Sequence, residues 1–134
     1  MTRSEAGPRP LFGIVFGHGD LPRALAAAAA DIVGDPSGLV PVSNLGLDSG
    51  RMDAELSAAI AAHPDEDIII FVDMAGSSCS HAGSRACGER AGVATVTGVN
   101  LPMLVRFLAY RKRRPLDELV ELMVHTGREG IVPG

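Results

Sequence analysis

Apolar positions fall into a few short unbroken runs, separated by longer stretches in which they recur at helical spacing. Leu11-Phe-Gly-Ile-Val-Phe-Gly17 is too brief for a globular helix and reads as a buried strand. Leu39 to Val42 is a second strand, and Pro41, which has no N–H to donate, puts it near an edge. Asp67-Ile-Ile-Ile-Phe-Val-Asp73 is the strongest signal: its five consecutive large apolar residues do not alternate with polar ones, the pattern of a central parallel strand buried on both faces. Val93 to Val99 supplies a fourth strand, closing at Asn100.

Helical patterns fill the intervals. Asp20 is placed to cap a helix with Pro22 in its first turn, and the Ala26–Ala30 run carries it toward Gly34-Asp-Pro36. Polyalanine has high helix propensity and lets a helix lie close against a sheet. A second helix spans about Met52 to Ala62, with His63 read as a cation at its C-terminus. A third runs from about His81 to Arg90, after a small-residue loop over Ala75–Ser80. Pro102 opens a fourth, ended by Arg111-Lys-Arg-Arg114 and Pro115. Asp117 to Thr126 is an amphipathic fifth, with Gly127-Arg-Glu-Gly130 as its cap and Ile131-Val132 as a possible last strand. The alternation predicts an α/β fold, a three-layer sandwich with a mainly parallel central sheet and helices on both faces.

Composition narrows the class. The chain has 134 residues, enough for one domain with one real core. Residues 1–10 read as a disordered polar tail without the apolar centre of a signal peptide, and residues 11–134 as the domain. A net charge of −4 argues against a general nucleic-acid or anionic-membrane surface. No apolar run approaches the ~18 residues needed to span a bilayer. Cys79 and Cys87 fit neither a CxxC motif nor a common zinc spacing, so both are expected as reduced thiols in a cytoplasmic protein.

The candidate chemistry centres on His18, set between Gly17 and Gly19 where a strand gives way to a helix. Glycine permits the tight turn and leaves the imidazole clear of neighbouring side chains. The C-terminal ends of strands are also where open α/β sheets bind ligands, and Asp73 ends a central strand on the same rim if both strands are parallel. Gly17-His-Gly19 matches neither GxGxxG nor a P-loop, and the only lysine is Lys112. A Ser-His-Asp hydrolase would use Ser77 or Ser78, but Gly76-Ser-Ser-Cys lacks the GxSxG elbow. A Cys79–His pair is a further option. A metal site would draw on His18, His81, Asp73 and Cys79, a mixed set without HExxH spacing. The last option is histidine as nucleophile. An imidazole accepts a phosphoryl group on one neutral nitrogen while a carboxylate holds the other N–H and steadies the cation formed. His18 and Asp73 supply that pair. Gly19, Ser77 and Ser78 could receive phosphoryl oxygens, and the helix starting near Asp20 would add its positive end. From the residues alone this is one hypothesis among several.

Four segments carry a resemblance: Gly13-Ile-Val-x-x-His18-Gly; Phe71-Val-Asp73-Met-Ala-Gly76-Ser-Ser78; Gly98-Val-Asn-Leu-Pro-Met-Leu104; and Thr126-Gly-Arg-Glu-Gly130. In this order and spacing the chain, from Phe12 to Val132, resembles the IIA domains of the mannose family of the bacterial sugar phosphotransferase system. The resemblance implies that His18 accepts a phosphoryl group from a small histidine-phosphorylated carrier protein (HPr) and passes it to a separate IIB component for sugar uptake. It implies that Asp73 orients the imidazole and that Ser78 lies in the active-site loop. It also implies a homodimer that reaches the membrane only through its transporter partners, and no cofactor, metal or nucleic acid. Asn100 is a candidate to hydrogen-bond the active-site loops from behind, and His81 to touch phosphate. Two departures stand out. The family usually has Gly-Gly-Ser-Pro where this chain has Gly76-Ser77-Ser78-Cys79, and the run Arg111 to Arg114 is basic where polar or acidic residues are common. That run reads as a solvated helix end or as a changed docking surface. The alternatives are a regulatory module phosphorylated on His18 as a signal, and the phosphotransfer subunit of a dihydroxyacetone kinase.

Overall fold

The first strand, β1 (Leu11–Gly17), is buried at every position. Its alternating side chains feed two separate cores, because successive residues of a strand point to opposite faces. Phe12, Ile14 and Phe16 join one core, and Leu11 and Val15 join the other. The structure, a computed structural model, describes residues 9–134; residues 1–8 of the expected tail lie outside the described residues. The last two residues of that expected tail are bonded to the fold: the Arg9 guanidinium donates to the carbonyls of Pro64 and Asp65, and the Pro10 carbonyl accepts the Asp67 N–H.

The remaining elements are α1 (Leu21–Val33), β2 (Leu39–Ser43), α2 (Ser49–Ala61), β3 (Asp67–Val72), α3 (Ser78–Ala86), β4 (Val93–Thr97), α4 (Leu101–Tyr110) and α5 (Leu116–Glu129). The four strands pair in parallel in the order β2-β1-β3-β4. The two fully buried strands, β1 and β3, are central, and β2 with its Pro41 is an edge. Ala26 and Ala29 of α1 pack on one face of the sheet with Leu104 and Phe107 of α4 and Leu119 and Met123 of α5. Met52 and Leu56 of α2 and Cys79 and Ala82 of α3 cover the other face. The expected α/β three-layer sandwich is the observed one. Gly13 of β1 makes room on the first face, since a Cβ there would lie 2.9 Å from Phe107 and 3.1 Å from Phe71. Those two rings meet edge to face at 5.0 Å.

Several boundaries differ from the sequence reading, each for a local reason. α3 begins at Ser78 rather than near His81, because the Ser77 hydroxyl caps it by accepting the Ser80 N–H, and it ends at Ala86 rather than Arg90, with Cys87 as its C-cap. α5 runs through Gly127-Arg-Glu to a cap at Gly130. Gly127 is a packing residue: a Cβ there would sit 2.7 Å from Met103 of α4. Ile131-Val132 forms no strand and is exposed. His63 stacks on Phe12 with ring centroids 3.5 Å apart and places Nδ1 2.7 Å from Glu66, a role in packing beyond its position after the helix. Arg111 is not part of a solvated helix end. It is buried, ion-paired to Asp35 at 2.9 Å, and donates to the Leu11 carbonyl and the Ser37 hydroxyl. No helix among the described residues is long and apolar enough to cross a membrane.

Candidate functional site

The chain leaves β1 toward one face of the sheet, through α1, and leaves adjacent β3 toward the other, through α3. Such a divergence opens a crevice at the carboxyl ends of the two strands, where α/β sheets bind ligands. His18 follows β1 and Asp73 follows β3, so strand order brings together two residues 55 positions apart.

Asp73 holds His18 twice. Its Oδ2 lies 2.7 Å from the ring Nδ1 and accepts the His18 backbone N–H at 2.9 Å, while Oδ1 accepts the Met74 N–H at 2.9 Å. Gly17 makes this approach possible, because a Cβ there would lie 2.7 Å from the Asp73 carboxylate. Burial pushes the Asp73 carboxyl upward, but the hydrogen bonds from the His18 ring, the His18 N–H and the Met74 N–H, with the charge of the ring, outweigh it. The carboxyl ends below its ordinary range. An ionised acceptor at Nδ1 places the hydrogen of the neutral ring there and leaves the lone pair on Nε2. The His18 side chain is 46% exposed against 11% for Asp73, so the free nitrogen belongs to the residue that solvent and partners reach.

The other expected site residues divide. Ser78 is exposed at the first position of α3, and its hydroxyl has no hydrogen-bond partner among the described residues. The first-turn amides of a helix lack intrahelical acceptors and form a partial positive charge, so this end of α3 favours an anion. Ser77 is committed to the fold: its hydroxyl donates to the Met74 carbonyl and caps α3. Gly19 turns with φ +60°, but its N–H is donated to Asn44 Oδ1 at 3.1 Å, so it is not a free phosphate donor. Asp20 does not cap α1 with its side chain and instead forms a two-pronged pair with Arg23. Asn100 caps α4 by accepting the Met103 N–H and donates to the Gly127 carbonyl; neither bond reaches the loops around His18. His81 is exposed within α3.

Cys79 is fully buried, and burial with the nearby Asp73 charge raises its thiol to about 11, which removes it as a thiolate nucleophile near neutral pH. Among the described residues no three or more His, Cys, Asp or Glu side chains gather as a metal site would require. The basic run lies at the far end of the sheet. The Leu11 N–H bonds to the Arg111 carbonyl at the start of β1, so the seven-residue strand separates that end from His18 by about 20 Å. There Arg106, Arg113 and Arg114 gather around the Tyr110 ring at 5.6, 6.0 and 5.8 Å. Three large apolar side chains are exposed close in sequence to site residues: Leu21 three positions after His18, Met74 directly after Asp73, and Leu45 directly after Asn44.

Ser43 and Asn44 were not singled out from sequence. The Asn44 N–H bonds to the Gly17 carbonyl at 2.9 Å, and Ser43 Oγ donates to the Gly19 carbonyl at 2.7 Å. The one available signal was an Asn and a Ser closing an edge strand, residue types whose short polar side chains bond nearby backbone.

Fold and site define a class: a parallel α/β domain that presents a carboxylate-held histidine at its switch point. The family model described as EIIA-man, PTS system fructose IIA component, matches residues 13–124. The chain belongs to this family, as a IIA component of the phosphotransferase system. It is 43% identical over 65 residues to the PTS system mannose-specific EIIAB component of Escherichia coli K12, a match covering 48% of this chain and 20% of that protein. With the PTS system fructose-specific EIIA component of Bacillus subtilis it shares 29% identity over 109 residues, 80% of this chain and 75% of that one. The fold matches the EIIA component of Streptococcus agalactiae with a TM-score of 0.81 at 23% identity, covering 92% and 96% of the two chains. It also matches the mannose/sorbose-specific IIA subunit of Enterococcus faecalis with a TM-score of 0.82 at 20% identity, covering 93% and 95%.

Proposed function

We propose that the protein is a phosphocarrier in which Nε2 of His18 takes a phosphoryl group from an HPr-like carrier and passes it to a IIB component for sugar uptake. The observation that carries this reading is the His18–Asp73 pair, with Nδ1 held at 2.7 Å and the ring half exposed. The Nε2 lone pair attacks the phosphorus of the carrier's phosphohistidine. As the new N–P bond forms, the carrier's N–P bond breaks and its electron pair returns to the carrier's imidazole. His18 becomes a cation that keeps its hydrogen on Nδ1, beside the Asp73 charge. A nucleophilic side chain of the IIB component then attacks the same phosphorus, and His18 leaves as the neutral ring. The Ser78 hydroxyl and the first amides of α3 receive the phosphoryl oxygens.

Leu21, Leu45 and Met74 supply an apolar collar on which carrier and acceptor dock in turn. The reading includes a homodimer. It is supported by the outer side of β4, which pairs with no strand among the described residues, and by a groove of about 400 Å³ along it that Val120, Val124 and Ile131 help line. The protein works in the cytoplasm and meets the membrane only through the transporter that its acceptor serves. The test is intact-mass measurement after incubation with phosphoenolpyruvate, enzyme I and the carrier. The expected result is one acid-labile phosphate on the wild type and none on His18→Ala; no gain on the wild type overturns the reading. Loss of that phosphate on adding a IIB component establishes the second step, whereas retention with every IIB component of the same cell favours the regulatory alternative.

A further inference from the structure

The two glycines beside His18 create a difficulty for any group-transfer site. Glycine has the widest backbone freedom of all residues, so a Gly-His-Gly turn by itself presents its imidazole over a broad range of directions. Asp73 fixes one ring nitrogen and the His18 amide, but it sits on one side only, at the end of β3. The opposite neighbour of β1 is β2, and the residue just past its end straddles the turn. The Asn44 N–H donates to the carbonyl of Gly17, before the histidine, and Asn44 Oδ1 accepts the N–H of Gly19, after it. Ser43 Oγ adds a bond to the Gly19 carbonyl and accepts the Leu45 N–H, so the clamp is itself held. The His18 carbonyl is occupied by the Leu21 N–H.

The geometry points to Asn44 as a positioning residue for His18: its side chain locks the second flanking glycine so that Nε2 keeps one direction while Nδ1 stays on Asp73. This rests on the phosphorelay reading for its purpose, though not for its geometry. Asn44 touches neither the imidazole nor the transferred group, so its effect runs through the turn. A backbone contact alone would not serve, because only a side chain reaching past Gly17 meets the Gly19 amide from a residue that already bonds Gly17. Oδ1 must face that amide, which fixes the orientation of the carboxamide. Without the acceptor, Gly19 is held only through its carbonyl, by Ser43, and the ring samples orientations in which Nε2 no longer faces an incoming phosphorus.

The experiment compares wild type, Asn44→Ala and Asn44→Asp, the last of which keeps an acceptor for the Gly19 N–H. Nitrogen NMR of the His18 ring reports tautomer and order without any partner protein, and carrier-dependent phosphorylation is followed in parallel by intact mass. In Asn44→Ala we expect a mixed tautomer population and broadened ring signals, with kcat down about 10-fold and KM for the carrier within about 2-fold. Asn44→Asp should restore the single tautomer and sharp ring signals. Ring signals in Asn44→Ala matching the wild type would overturn the positioning role, whatever the relay does. So would broadening in Asn44→Asp equal to that in Asn44→Ala, because the acceptor would then not be the cause. A wild type that takes no phosphate while the ring signals respond as expected would overturn the relay reading and leave the positioning role standing.

Discussion

The two ends of the sheet each join distant parts of the chain through a side chain held by a carboxylate, and the pairs differ in one respect. At the amino end, Arg111 reaches Asp35 at 2.9 Å and also binds the Leu11 carbonyl and the Ser37 hydroxyl. At the carboxyl end, His18 reaches Asp73 at 2.7 Å through one ring nitrogen, and its other nitrogen meets no protein group among the described residues. Arg111 is buried, whereas His18 is half exposed. A guanidinium surrounded by acceptors is a strut: it closes the start of β1 against the loop that follows α1. An imidazole held by one nitrogen is a tool, with its orientation fixed by the protein and its lone pair left to chemistry. Both carboxylates lie below their ordinary range. Perturbed titration therefore does not separate the functional pair from the structural one, and unused bonding capacity does.

Replacing Asp73 by Asn should separate the two ends most sharply. An amide turned with its NH₂ toward Nδ1 favours the tautomer with hydrogen on Nε2, which has no lone pair for phosphorus. The expected loss is on the order of 10²-fold or more in single-turnover phosphorylation, with a fall in the urea midpoint smaller than that of Arg111→Met. A large fall in stability without that loss would mean that the carboxyl-end pair is a strut as well.

Arg111→Met should show the reverse. It leaves Asp35 without its partner, at a cost of about 3 kcal/mol in urea unfolding, while the folded protein accepts phosphate at the wild-type rate. Slowed transfer in the folded fraction would show that the two ends are coupled through β1, and the comparison would break.

Acid should act on both ends, with a smaller effect. For Asp35, burial pushes the carboxyl up, and the hydrogen bonds and charge of Arg111 with those of Ser37 outweigh it; for Asp73, burial is outweighed by bonds from His18 and Met74. A carboxyl whose folded pKa is depressed stabilises the fold fully above its unfolded value, near 4, and that contribution is lost as pH falls through the folded value. Urea unfolding from pH 6 to pH 2.5 should therefore show a plateau and then a decline beginning near pH 4, shallower in Asp35→Asn. A decline centred near pH 6 would point to a histidine instead and contradict the assignment.

Much of this protein was legible in its sequence. The strands and helices are properties of apolar runs and spacings a few residues long. The unbroken Ile68–Phe71 run could belong only to a strand buried on both faces, and the Pro41 segment only to an edge. With a parallel sheet inferred, His18 and Asp73 had to share a rim; that they meet depends on β3 lying next to β1. The hydrogen-bond partners were decided elsewhere. That Asn44 holds Gly19, that Arg111 is an interior strut, that Ser77 serves a helix cap and that Gly127 lets α5 approach α4 all depend on which elements become neighbours. The order β2-β1-β3-β4 brings Asn44 and Asp73 to opposite sides of one turn. The physical reason is one of range: secondary structure answers to periodicity along a few residues, whereas a polar side chain chooses its partner by proximity in space, which exists only once the sheet has assembled.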